Sequence, residues 1–293
     1  MVIRARPTLE GAGVHLKRAL GFYQTNLADP FLLLDHFHSN NPDDYSAGFP
    51  WHPHRGIETI TYMLEGTVEH GDSMGNKGVI KPGEVQWMTA GSGIIHQEMP
   101  KGGHAGEMHG FQLWANLPAK NKMMDPRYRE VKAGDIPVVN ENGSHIRVIA
   151  GTVSDKTGPV KDIVTDPEYI DVTLEPKGIF TRKVKHNHTV MAYVIEGNGN
   201  FGETQTDFIE EPDRLYSGTA MSEFTSAENL VIYGEGSGIR VEAGAEGVRF
   251  LLISGKPIGE PVAWYGPIVM NTEEELKTAF DEYENGTFLK HKI

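Results

Sequence analysis

Short β-prone runs separated by glycine turns fill this chain, and they recur in the same order in its two halves. IETITYMLEGTVEH, EVQWMTAG, HGFQLWANL and HIRVIAG are followed by YIDVTL, VMAYVIEGNGNFG, LVIYG and VRFLLISG. Runs of this length, rich in β-branched and aromatic residues and bounded by turn residues, predict an all-β barrel or sandwich. The 34 glycines and 17 prolines among 293 residues suit many short strands joined by turns. His52-Pro-His54 leads to Tyr62-Met-Leu-Glu-Gly66 in the first half, and His186-Asn-His188 leads to Tyr193-Val-Ile-Glu-Gly197 in the second. Further on, Gly91-Ser-Gly-Ile94 is answered by Gly236-Ser-Gly-Ile239. Two matches in one order at similar separations indicate tandem copies of one β-domain.

The division is expected near Gly151–Pro159, where TVSDKTGP reads as a turn or linker. That gives a first domain over 1–150 and a second over 151–293. Helical periodicity waits until the end, at about 272–284. There Asn271 or Thr272 can cap a helix whose first turn is Glu273-Glu-Glu. Leu276, Phe280 and Tyr283 form its apolar stripe, expected to pack on a barrel.

The copies differ where chemistry would sit. In a strand, residues i and i+2 project to one face, roughly 6.5 Å apart. His52 and His54 form one such pair, and His96 and Glu98 another. Two strands side by side would aim three imidazoles and one carboxylate at a single point, a donor set suited to divalent iron, nickel, copper or manganese. Counting on from the shared Gly-Ser-Gly, Val241 stands in the place of His96 and Ala243 in that of Glu98. Of the thirteen histidines only His186, His188 and His291 follow residue 150. One metal site in the first domain is therefore the expectation, with His186 and His188 a vestige or a loop feature.

Composition narrows the remaining possibilities. The chain has no cysteine, which excludes thiolate ligands, disulfides and cysteine nucleophiles. A net charge of −13 with no long basic run argues against direct nucleic-acid binding, because phosphates are held by Lys and Arg. The start lacks an apolar signal core, and no long uncharged apolar run suggests a membrane span, so a cytoplasmic protein is expected.

Several further residues are candidates around the site. Glu58 shares strand parity with His52 and His54. It could accept from an imidazole N–H, or equally stand at the rim paired with Arg55 or a lysine. His36, His38, His104 and His109 could line the mouth of a pocket, although lone histidines more often serve structure. Phe49, Trp51, Trp87, Met88 and Trp114 could stack on an aromatic substrate, or simply fill a barrel. Gln112 could present its amide to a ligand.

Taken together, these motifs resemble the pirin family of the cupin superfamily. Gly48-Phe-Pro-Trp-His52-Pro-His54-Arg-Gly-Ile-Glu58 with Gly66 is similar to the first cupin motif. Pro82-Gly-Glu84, Gly91-Ser-Gly93 and His96-Gln-Glu98 are similar to the second in its pirin form. Asp29-Pro-Phe-Leu-Leu-Leu-Asp-His36-Phe37, Gln112-Leu-Trp-Ala-Asn-Leu-Pro118, and Glu260-Pro with Gly266-Pro-Ile-Val-Met-Asn-Thr272 extend the likeness from about residue 10 to the terminal helix.

The resemblance implies two tandem cupin (jelly-roll-like) β-barrels with a short C-terminal helix. It implies His52, His54, His96 and Glu98 as metal ligands, with Fe(II) favoured and Ni, Cu, Mn, Co or Zn also admitted. It further implies activity like that of quercetin 2,3-dioxygenase, on a flavonol or another enolisable molecule together with dioxygen. In that reading Glu98 takes the substrate proton. A metal- or redox-sensing protein that regulates a protein partner is the alternative.

Overall fold

A computed structural model describes residues 1–202 and 224–291. The chain divides into two compact units, one comprising residues 5–135 with 257–293 and the other 1–4 with 136–256. In the first unit one sheet runs Arg127–Val131, Val85–Thr89, Ile57–Glu65, Met108–Asn116, Phe31–Ser39, Val14–Leu20, Arg6–Glu10. A second sheet runs Phe49–His54, Ile94–Lys101, Thr67–Asp72, Lys77–Ile80. Every one of these pairings is antiparallel. Apolar side chains fill the interior in two groups. One is built on Val14, Phe37, Met63, Val68 and Met108, the other on Ile57, Met88, Ala90 and Ile94 with Val269. Burying each such side chain stabilises the fold by about 1.5–3 kcal/mol.

Among the described residues, the other unit is built on a nine-stranded antiparallel sheet in which the long strand Gly238–Gly255 pairs with Glu168–Leu174, Ile179–Lys183 and Thr189–Asn200. Its core contains Val172, Val194, Val241, Phe250 and Leu252. The Glu-Gly pairs of the sequence repeat have a shared physical cause. Gly66 and Gly197 both adopt left-handed backbone, at φ of 73° and 70°. A β-carbon at Gly66 would sit 2.8 Å from the Glu107 carbonyl oxygen, and one at Gly197 would collide with that of Gly247.

The terminal helix forms over Glu273–Glu284, with Thr272 rather than Asn271 as its cap. The Thr272 hydroxyl accepts from the Glu275 N–H at 3.2 Å while the Glu275 carboxylate accepts from the Thr272 N–H at 3.1 Å, a capping box. The helix does not follow the division expected at residue 150, because it packs within the first unit. Leu276 and Ala279 are buried with Ala263, Ile268, Met270 and Phe288, and Phe280 packs at the edge. Tyr283 stays largely exposed, its ring edge-on to Phe288 at 5.6 Å.

The reason lies in one cation. Buried Arg55, the residue after His54, donates to the carbonyls of Ser92 at 2.7 Å and Phe288 at 2.8 Å. It also pairs with Glu282 at 2.8 Å and lies 4.2 Å from the centre of the Phe288 ring. A return of more than two hundred residues leaves no local periodicity by which to see it. No helix among the described residues is long and apolar enough to cross a membrane.

Candidate metal centre

Along the Ile94–Lys101 strand buried positions alternate with half-buried or exposed ones, and the buried phase carries Ile94, His96, Glu98 and Pro100. Its neighbour Phe49–His54 is registered so that His52 stands opposite His96 and His54 opposite Ile94. A bulge between His96 and Glu98 then sets Glu98 opposite Phe49. The result brings His52, His54 and His96 together, with one nitrogen of each within 4.8 Å of the others. Ring centres lie 4.4 Å apart for His52 and His96, and 5.0 Å for His54 and His96.

Backbone carbonyls decide where the ring protons sit. His52 Nδ1 is 2.8 Å from the Pro50 oxygen, and His54 Nδ1 is 2.9 Å from the Pro267 oxygen. A carbonyl only accepts, so each ring donates from Nδ1, and each neutral ring carries its lone pair on Nε2. Those two Nε2 atoms are 3.1 Å apart. Facing lone pairs repel at that distance, so the contact needs a cation between them, a proton or a metal. His96 distinguishes the two: it is fully buried, and neither of its nitrogens has a hydrogen-bond partner in the protein. A proton can serve two of the three rings, whereas a metal ion can serve all three.

Electrostatics agree with a neutral donor set. Burial, reinforced by His52 and opposed by the Pro267 hydrogen bond, pushes His54 down to about 3. Burial among His54, His52 and His70 holds His96 well below the usual range. Both rings are therefore neutral at pH 7, the form a metal requires.

Glu98 stands apart from the tight triad. Its carboxylate accepts from the Thr61 hydroxyl at 2.9 Å, and the same hydroxyl is 3.0 Å from the Gln112 side-chain oxygen position. One hydroxyl proton cannot serve both, so donation to Glu98 goes with a Gln112 amide turned to donate its NH2 to Thr61. His52, His54, Glu98 and Gln112 open on one cleft of about 670 Å³, whose apolar wall includes Phe49, Trp51 and Trp114. Arg18 also reaches it, but its charge is met by Asp35 at 2.7 Å and Glu10 at 2.9 Å.

Other sequence candidates lie elsewhere. Glu58 takes neither role foreseen for it. It is fully buried, accepting from Thr89 at 2.6 Å and Trp87 at 3.2 Å, and burial raises its pKa. Trp87 and Met88 are core. His36, His38 and His109 do not line the cleft, because they belong to the opposite phase of their strands from the cleft residues Asp35, Phe37 and Gln112. His104 is exposed in a loop. His186 and His188 fall in a turn after the strand Ile179–Lys183 has ended, and Val241 and Ala243 are buried core.

Sequence reasoning missed Thr61 and the two carbonyls that orient His52 and His54. Thr61 left a faint signal as a polar residue in the apolar run ITYM; the Pro267 carbonyl, 213 residues from His54, left none.

The Pirin family model matches residues 13–115, which hold the whole triad and Glu98, and the model for the pirin C-terminal cupin domain matches residues 169–289. The chain belongs to the pirin family. A pirin-like protein of Caulobacter vibrioides is 43% identical over 289 residues, covering 98% of this chain and 97% of that protein. Among solved structures, quercetin 2,3-dioxygenase from Acinetobacter baumannii superposes with a TM-score of 0.83 at 32% identity, covering 98% of this chain and 96% of that one. The nickel(II) complex of the pirin YhhW from Escherichia coli shares the fold at a TM-score of 0.63, with 22% identity and coverage of 88% and 98%. Both units are thus cupin domains of a pirin, and the three-histidine group of the N-terminal one can hold a metal.

Proposed function

We propose that the cleft of the first unit holds one divalent transition metal through His52, His54, His96 and Glu98, and that the protein is a metal-dependent dioxygenase. Its substrate is a quercetin-like flavonol or another small molecule with an ionisable enol beside a carbonyl, and dioxygen is the second reactant. The observation that carries the metal assignment is the pair of Nε2 atoms at 3.1 Å beside a buried His96 without partners. Similarity of fold and sequence to quercetin 2,3-dioxygenase from Acinetobacter baumannii supports the reaction class.

A donor set of neutral imidazoles and one carboxylate admits several metals, and Fe(II) is the working choice. When bound, the metal supplies Lewis acidity and an electron route between substrate and dioxygen. The protein's own residues do the rest. A cleft of about 670 Å³ lies within the usual ~300–1,000 Å³ of small-molecule sites. Phe49, Trp51 and Trp114 offer faces for a planar substrate and exclude water around it. Glu98 takes the enol proton, and the Thr61 hydroxyl steadies the carboxylate while it waits. Gln112, joined to Thr61, orients a substrate oxygen. Pro50 and Pro267 keep the two rings turned toward the centre.

The test is oxygen uptake with quercetin by Fe(II)-reconstituted protein, with Glu98→Gln in parallel. Metal-dependent uptake abolished in the variant supports the assignment. No uptake by fully metallated protein refutes catalysis and leaves the sensor reading, in which the site acts through a protein partner.

A further inference from the structure

We propose a second divalent-metal site in the same unit, formed by His36, His38 and His109 on the sheet face opposite the cleft. Phe31–Ser39 and Met108–Asn116 are neighbouring antiparallel strands, with His38 paired to His109 and His36 to Phe111. Asp35, Phe37 and Gln112 face the cleft, so the alternate residues face the other side. There the three histidines converge, with one nitrogen of each within 4.8 Å of the others.

The layout repeats that of the first site. In both, a strand carries His-x-His, and the neighbouring strand sets a third histidine opposite one of the pair: His96 opposite His52, His109 opposite His38. Without metal, His36 and His109 form a hydrogen-bonded pair beside the exposed ring of His38, and the same spacing suits a shared ion. His36 Nε2 and His109 Nε2 are 2.9 Å apart. Tetrahedral coordination at ~2.0–2.1 Å separates two nitrogens by about 3.3 Å, so opening this pair by about 0.4 Å makes a chelating bite. His38 stacks on His109 at 4.1 Å with planes 8° apart, and a modest turn brings it in as the third ligand.

His36 is also fixed in place, lying over the Phe111 ring at 4.7 Å. His38 is exposed, which provides the route in and leaves room for water as the fourth ligand. Three imidazoles without a carboxylate in the group favour Zn(II), Ni(II) or Cu(II) over Mg(II), Ca(II) or Mn(II).

Calorimetric titration of the metal-stripped full chain with Zn(II) tests this. The His52→Ala/His96→Ala variant should still take one equivalent, and adding His38→Ala, a change at an exposed position, should weaken that equivalent at least tenfold. Wild-type protein should take two. If the double variant takes none, or its one equivalent is indifferent to His38→Ala, the second site is refuted. A wild-type equivalent lost in His38→Ala but kept in the double variant would sink the cleft assignment instead and leave this one standing.

Discussion

Replacing Arg55 by leucine should cost the first unit about 3–5 kcal/mol. The side chain is 2% exposed. It donates to two carbonyls, and hydrogen bonds from a charged donor contribute ~1.5–3 kcal/mol each. Its stacking on Phe288 adds ~0.5–2 kcal/mol. Leucine fills part of the volume and recovers some apolar contact, which brings the gross sum down to the stated range. The change also leaves the buried Glu282 Oε2 without its Arg55 partner, while the other oxygen keeps Lys290 at 2.7 Å. Glu282→Gln keeps an oxygen that can accept from the guanidinium and leaves both carbonyl contacts in place, so it should cost less than Arg55→Leu. All four tryptophans, Trp51, Trp87, Trp114 and Trp264, lie in this unit, so their fluorescence follows its unfolding by urea without a signal from the other. A cost for Arg55→Leu below about 1 kcal/mol, or one matched by Glu282→Gln, would refute the view that this cation fastens the terminal segment to the histidine strand.

Three other outcomes are expected. Glu98→Gln should lose quercetin turnover far more than it loses metal, read as oxygen uptake against metal per chain; equal activity would remove the base role. Thr61→Val should lower turnover about 10–150-fold, the rate equivalent of a ~1.5–3 kcal/mol charged hydrogen bond, while metal content holds. An unchanged rate would show that Glu98 needs no anchor. In metal-free protein, the folded His54 stands near 3 against 6.5 for the free side chain. Its contribution to stability is fully present above pH 6.5 and is lost as pH falls toward 3, at up to ~1.4 kcal/mol per pH unit. From pH 7 to 5 the wild type should thus lose about 2 kcal/mol more than His54→Gln in urea titrations, and equal losses would contradict it.

Alternation and turn residues carried the architecture, because a strand with one buried face writes its period into the sequence. The repeat was legible for the same reason: two Glu-Gly turns need left-handed backbone at the second residue, so the glycine recurs. His52, His54 and His96 could be placed together because i, i+2 geometry is local and only one strand pairing had to be guessed. Glu98 fitted less simply, since the bulge beside it and the Thr61 hydroxyl that holds it are tertiary facts. Glu58 shows the limit of parity. It is buried, but on the opposite phase of its strand from Thr61, so it faces away from the cleft toward Thr89 and Trp87 on a neighbouring strand that the His-x-His motif does not reveal. The terminal helix was visible from its cap and its stripe. Its place in the first unit depended on Arg55 and Phe288, which no window of sequence contains together.

The most direct measurement is iron per chain after anaerobic Fe(II) reconstitution and desalting, for wild type and His52→Ala/His96→Ala side by side. The account predicts about one equivalent more in the wild type than in the double variant. Equal iron in the two would contradict a metal centre at His52, His54 and His96.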